Sequence, residues 1–161
     1  VFDIATGTWH ERLSDGRVNY RVGFAQTAFG LTIMGDNETG KLYTPSLETY
    51  DEDGDTISCQ IELPSIGEGI TRRTMYMFQL YCETGVGLNS GQGSDPQVML
   101  TYSDDGGRTF SNEMWRSLGA IGTYRTMAIW RGLGQFRQRQ IRLVMTDPVR
   151  RFVMAYYADV R

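Results

Sequence analysis

The chain has 161 residues, with 16 Lys+Arg against 19 Asp+Glu and a formal net charge of −3. Its 40% hydrophobic content supports a packed core and excludes a wholly disordered chain. No apolar run approaches the ~20 residues that a membrane-spanning helix needs, and the acidic balance gives no whole-chain footprint for nucleic acid.

Helical periodicity is nearly absent, and period-two alternation is common. In chain order, Thr8-Trp9-His10-Glu11 reads as a strand edge, and Ser14-Asp15-Gly16 as a turn. Residues 31–35 and 41–44 are short strands around the turn Asp36-Asn37-Glu38-Thr39-Gly40. Asp51-Glu52-Asp53-Gly54 is another turn, and residues 56–63 another strand. Gly and Asp tolerate the positive φ of tight turns, so these clusters predict hairpins. The pattern Asp-x-x-Thr-Gly occurs twice, as Asp3…Thr6-Gly7 before Trp9 and Asp36…Thr39-Gly40 before Tyr43. This weak repeat suggests related hairpins of a propeller.

A boundary is expected within residues 64–69. Beyond it, residues 71–83 place Tyr76, Phe78, Leu80 and Cys82 on one strand face and Met75, Met77 and Tyr81 on the other. Both faces are apolar, which predicts a central strand buried on both sides or shared with a partner. A glycine-rich loop over 85–96 precedes strands at 96–102 and 122–130. In 139–146, Ile141, Leu143 and Met145 alternate with polar residues, a strand with one wet face; Phe152, Met154 and Tyr156 continue that logic. The expected fold is all-β: a partial propeller-like segment over 1–66, then an antiparallel β-sandwich-like domain over 67–161.

Reactive chemistry is sparse. Cys59 and Cys82 lie in no C-x-x-C pair, His10 is the only histidine, and neither a zinc site nor a triad follows. Free thiols are the expected state, though a pairing of Cys59 with Cys82 stays open. Asp51, Asp53, Asp55 and Glu62 carry EF-hand spacing, but Thr56 stands where that turn requires Gly, and no helices flank it. Residues 83–87 lack the Lys of a P-loop. The carboxylates cluster in glycine turns without a general acid/base pair. No catalytic, cofactor-binding or metal-ligating residue is therefore expected, and no enzyme. The fifteen arginines, against the single Lys41, cluster at Arg72-Arg73, between Arg137 and Arg142, and at Arg150-Arg151. Their planar forks suit contacts with partner proteins.

The most specific local string is Ser103-Asp104-Asp105-Gly106-Gly107-Arg108-Thr109-Phe110. It is similar to the Asp-box pattern S-x-D-x-G-x-T-[W/F], carried here by Ser103, Asp105, Gly107, Thr109 and Phe110. Ser and Asp oxygens accept backbone N–H bonds, Gly allows the bend, and the aromatic packs beneath. The expected role is structural.

Longer strings resemble a family. They are Glu83-Thr84-Gly85-Val86-Gly87, Ser94-Asp95-Pro96-Gln97-Val98-Met99-Leu100, and the run from Tyr102 to Glu113. Ser117-Leu118-Gly119-Ala120-Ile121-Gly122-Thr123-Tyr124, Trp130-Arg131-Gly132-Leu133-Gly134 and Thr146-Asp147-Pro148-Val149 complete them. In this order they resemble the C-terminal region of the packaged-DNA stabilisation, or tail hub, proteins of short-tailed phages. The first half is similar too, in Phe2-Asp3…Thr8-Trp9-His10-Glu11-Arg12 and Gly35-Asp36…Gly40-Lys41-Leu42-Tyr43. The resemblance implies a structural virion protein of the tail, part of the hub or tube below the portal, that helps retain packaged DNA. It implies a homo-oligomeric ring in the full-length protein and neighbouring tail and portal-proximal proteins as partners. DNA in the channel would be held without specific binding. Localisation would be the virion, after assembly in the host cytoplasm, with no membrane binding by this segment and no cofactor. Against the family's length the resemblance implies that the chain would be only a C-terminal portion, an expectation in line with its opening on Val1 rather than Met. The alternative is a carbohydrate-binding β module, suggested by the Asp-box and by Trp9, Trp115 and Trp130. A glycoside hydrolase fragment would need two carboxylates about 5–10 Å apart across a cleft.

Overall fold

The computed structural model describes residues 1–5 and 7–161. These divide into two compact units, Val1–Ile57 and Ser58–Arg161. Every strand pairing is antiparallel, and no helix occurs among the described residues.

In the first unit, β1 (Phe2–Asp3) pairs β2 (Thr8–Trp9). β3 (Val22–Ala28), β4 (Leu31–Asp36) and β5 (Leu42–Tyr43) form a three-stranded meander, and β6 (Asp51–Glu52) pairs β7 (Asp55–Thr56). Aspartate side chains cap the turns. Asp36 Oδ1 accepts the N–H groups of Glu38 at 2.8 Å and Thr39 at 3.1 Å. Asp3 Oδ1 accepts that of Ala5 at 2.8 Å, and Asp51 Oδ1 that of Gly54 at 3.1 Å. Asp36 to Gly40 thus form the turn of a short hairpin, and Asp3 and Gly7 belong to a second hairpin; Thr6 lies outside the described residues. Asp53 and Gly54, at φ 61° and 89°, supply the left-handed pair that a two-residue hairpin favours. The largest sheet here has three strands, one short of a four-stranded propeller blade.

This unit has an ionic interior. Among the described residues its buried side chains are Ser14, Arg21 and Asp36, and every buried hydrophobic side chain belongs to the second unit. Arg17 Nη1 lies 3.2 Å from Asp36 Oδ1, and Arg21 Nη2 lies 2.7 Å from Asp55 Oδ2. Arg21 also donates from Nη1 to the Glu52 carbonyl at 2.7 Å, while its backbone N–H donates to Ser14 Oγ at 3.0 Å. The Glu38 amide foremost, with the Thr39 amide and the Arg17 guanidinium, holds the Asp36 carboxyl well below the usual carboxylate range.

In the second unit, β8 (Cys59–Glu62), β10 (Gln97–Ser103), β11 (Met114–Ser117) and β14 (Gln140–Met145) form one sheet, ordered β11-β10-β14-β8. β9 (Arg73–Cys82), β12 (Ala128–Arg131), β13 (Gln135–Phe136) and β15 (Val153–Val160) form the other, with β9 central. The alternating side chains Val98, Leu100, Ile141, Leu143 and Met145 of the first sheet share one core with Phe78, Leu80, Ala128 and Trp130 of the second. This is the β-sandwich expected from the alternation.

By its contacts the chain divides at Ile57/Ser58, because β8 completes the β14 edge of the sandwich. Of the two readings of β9, burial on both sides does not hold. Its register with β15 slips between Met77 and Met75, so Tyr76 bulges outward and Met75 joins Phe78 and Leu80 in the core. Tyr76 and Tyr81 are exposed. Two further expectations need correction. β15 carries a matching irregularity at Met154, and Phe152 and Met154 face solvent; Tyr156 stacks on Phe78 at 5.7 Å but stays partly open. Only the end of the 122–130 segment becomes a strand, as β12.

Two measurements test these interiors. Leu143→Ala removes a fully buried side chain from the sandwich and should cost about 2–5 kcal/mol in urea unfolding. The Asp36 carboxyl is depressed in the folded chain, so its contribution is present above the unfolded pKa and is lost as pH falls below about 4. Amide exchange at Glu38 and Thr39 should accelerate with acid in that window, and Asp36→Asn should remove the acid dependence.

Candidate functional site

Strand β10 runs into the Asp-box string, and the turn forms because each polar side chain satisfies a backbone group of the bend. Ser103 is buried; its hydroxyl donates to Asp105 Oδ1 at 2.7 Å and accepts the Gly107 N–H at 2.9 Å. Asp105 Oδ1 accepts the N–H groups of Arg108 and Thr109, each at 2.9 Å, and Oδ2 accepts the Thr109 hydroxyl at 2.6 Å. The hydroxyl and amide of Thr109 foremost, then Ser103, hold the Asp105 carboxyl well below its ordinary range. Gly106 and Gly107 take φ of 76° and 87°, a region closed to most side chains. Ser111 then ties the loop back to β10: its N–H donates to the Tyr102 carbonyl at 2.8 Å, and its hydroxyl accepts the Tyr102 N–H at 3.1 Å.

Phe110 is half-buried and roofed by the Arg142 guanidinium at 3.7 Å. Arg142 in turn pairs with Glu62 at 2.8 Å, and Gln140 donates to the same carboxylate at 3.0 Å. The aromatic therefore packs on the wet face of the β8-β14-β10 sheet.

The turn is joined to the core by residues that the sequence reading did not single out. Arg139, 1% exposed, lies between the rings of Tyr102 and Phe136, with centroids 4.0 and 4.5 Å from its guanidinium carbon. Its Nε and Nη2 donate to the two carboxylate oxygens of Asp104, both at 2.7 Å, and its Nη1 donates to the Leu133 carbonyl at 2.6 Å. The signal was present: Arg139 is in phase with Ile141, Leu143 and Met145, and a cation on the inward side of a strand requires a partner. Behind it, Ile66 and Arg139 form an isolated bridge. Gly67 next to that bridge has no room for a side chain, since a Cβ would stand 2.4 Å from the Arg137 carbonyl oxygen.

The other candidates are scattered. Trp130 is buried, with its indole N–H donating to the Met114 carbonyl at 2.8 Å, so it is no sugar platform; Trp9 and Trp115 are exposed. Cys59 and Cys82 are free, half-buried thiols, and burial pushes Cys82 up to about 11 and Cys59 upward. Of the EF-hand-spaced carboxylates, Asp53 receives Lys41, Asp55 receives Arg21, and Glu62 receives Arg142. Among the described residues no group of three or more His, Cys, Asp or Glu is placed to hold a metal ion. In the remaining arginine clusters, Arg150 pairs with Glu83 at 3.1 Å, Arg137 donates to the Ile70 carbonyl, and Arg151 donates to the carbonyls of Val149 and Met145. These geometries hold shape, and the Asp-box turn with its arginine is the most tightly specified of them.

Asp104→Asn leaves the Arg139 charge buried without a counterion. It should lower unfolding stability by about 2–3 kcal/mol, less than a fully buried pair because Asp104 is partly open to water. The double variant Asp104→Asn with Arg139→Met should recover part of that loss in urea titrations.

The model of the family described as Bacteriophage P22 Gp10, beta-sandwich, matches residues 65–161. No curated protein matches the chain. The matched span runs from the Ile66–Arg139 bridge to the end of the chain and takes in both sheets apart from β8. Matched over more than half of its length, the chain belongs to the bacteriophage P22 Gp10 β-sandwich family of phage tail structural proteins.

Proposed function

We propose that this chain forms part of the hub or tube below the portal and helps to retain packaged DNA, as a non-enzymatic component of a homo-oligomeric ring. The match over residues 65–161 carries this reading. The surface chemistry supports it. Arg139, Arg142 and Arg150, three of the seven clustered arginines, neutralise carboxylates of their own chain, which weakens their hold on phosphates. A channel wall past which DNA slides gains from weak phosphate contact, because each phosphate neutralised strengthens binding and slows passage. The sandwich also exposes Tyr76, Tyr81, Trp115 and Tyr157, the residue types enriched where proteins meet. Neighbouring tail and portal-proximal proteins and further copies of the chain are the partners, in the virion and, before that, in the host cytoplasm during assembly.

The test is a phage in which the gene for the full-length protein is disrupted. Heads should fill and then lose DNA, read as nuclease-sensitive genome in purified particles, and mass spectrometry should find the protein in wild-type virions. Stable, DNA-filled particles lacking the protein would defeat the proposal.

A further inference from the structure

The first unit encloses a half-open cavity of about 390 Å³, which falls within the range of small-molecule sites, roughly 300–1,000 Å³. Tyr20, Met34 and Tyr43 give it apolar surface. Arg12, whose guanidinium lies 5.2 Å from the centre of the Tyr20 ring, and Arg21, 5.6 Å from that of Tyr43, give it hydrogen-bond donors. Asp51 and Glu52 give it acceptors, Asp53 lines it with its carboxylate already held by Lys41, and Thr49 adds a hydroxyl of both kinds.

Charge selects among ligands. An anion drawn to the two arginines meets Asp51 and Glu52, and a cation drawn to these carboxylates meets the arginines. A neutral molecule rich in hydroxyls satisfies both, because each hydroxyl donates to a carboxylate and accepts from a guanidinium. The Glu52 carboxylate has acceptor capacity to offer. It stands 3.8 Å from Arg21 Nε, as does that of Asp36, and this buried Nε makes no hydrogen bond. A sugar ring combines a hydroxyl rim with an apolar C–H face, which suits the tyrosine and methionine surface.

We propose that this cavity binds a neutral saccharide, with Glu52 accepting from sugar hydroxyls and the Tyr20 and Tyr43 surface receiving the apolar face of the ring. This activity is separate from the tail-structural role, which stands whether or not the cavity binds sugar. The site also owes nothing to the tryptophans, since none of the three lines it.

The test applies the whole chain to an array of neutral and anionic bacterial oligosaccharides, then titrates the ¹⁵N-labelled chain with the best neutral hit up to about 10 mM, a range that covers weak millimolar binding. Amide shifts should map to the segments around Tyr20, Tyr43 and Glu52. Glu52→Gln should weaken binding about tenfold while its spectrum stays folded, and Trp115→Ala should change nothing. Mapping on the unmodified chain keeps the test valid if Glu52→Gln fails to fold. The proposal is overturned if no neutral glycan binds, if only anionic glycans bind and salt abolishes their binding, or if the shifts map to the sandwich.

Discussion

One buried cation sets the geometry of the sandwich. Removing a guanidinium from water costs several kcal/mol unless its donors and faces are all engaged. Arg139 meets that condition through the bidentate Asp104 carboxylate, the Leu133 carbonyl and the two rings that enclose it. These partners come from β10 with the turn that continues it, and from the segment Leu133 to Phe136 that ends in β13. Satisfying one side chain therefore ties the β10 turn to a segment tens of residues further along the chain. The Asp-box turn is the external half of this arrangement: its hydrogen bonds hold the bend rigid, and the rigid bend presents Asp104 to the arginine.

The two units solve the burial problem by different physics. The sandwich excludes water with two alternating sheets and needs one buried ion pair at its margin. The first unit, with short strands and acidic turns, draws Asp36, Arg17 and Arg21 into its interior instead. Ionic interiors of this kind specify geometry through directional bonds but depend on the charge state of each member. The sandwich fills its core with its own apolar side chains, while Ile4, Trp9, Val18, Phe29 and Leu47 of the first unit remain exposed.

Much of the second unit was legible along the chain. The alternation Ile141, Leu143, Met145 named the inward face of β14, and Val98 with Leu100 did the same for β10. Where the local pattern misled, a long-range contact had overridden it. The bulge at Tyr76 exists because β15 and β9 differ by one residue across that stretch, which period-two counting within β9 cannot reveal. Trp130 resembled a surface aromatic, yet its indole N–H closes onto the Met114 carbonyl across the meeting edges of the two sheets. Phe110 has the right identity for its turn, but its covering atom comes from Arg142 on another strand.

The sequence by itself determined the all-β class, the turn positions, the Asp-box hydrogen-bonding residues and the family resemblance. These rest on short-range chemistry: side-chain alternation, glycine φ freedom, and Ser or Asp oxygens within a few residues of the amides they cap. Tertiary structure decided which arginine is buried, which carboxylate neutralises it, where the units divide, and which aromatics face solvent. Those outcomes depend on pairs of residues separated by tens of positions, such as Arg139 with Asp104 and Arg142 with Glu62, whose energies exist only once the sheets have brought them together.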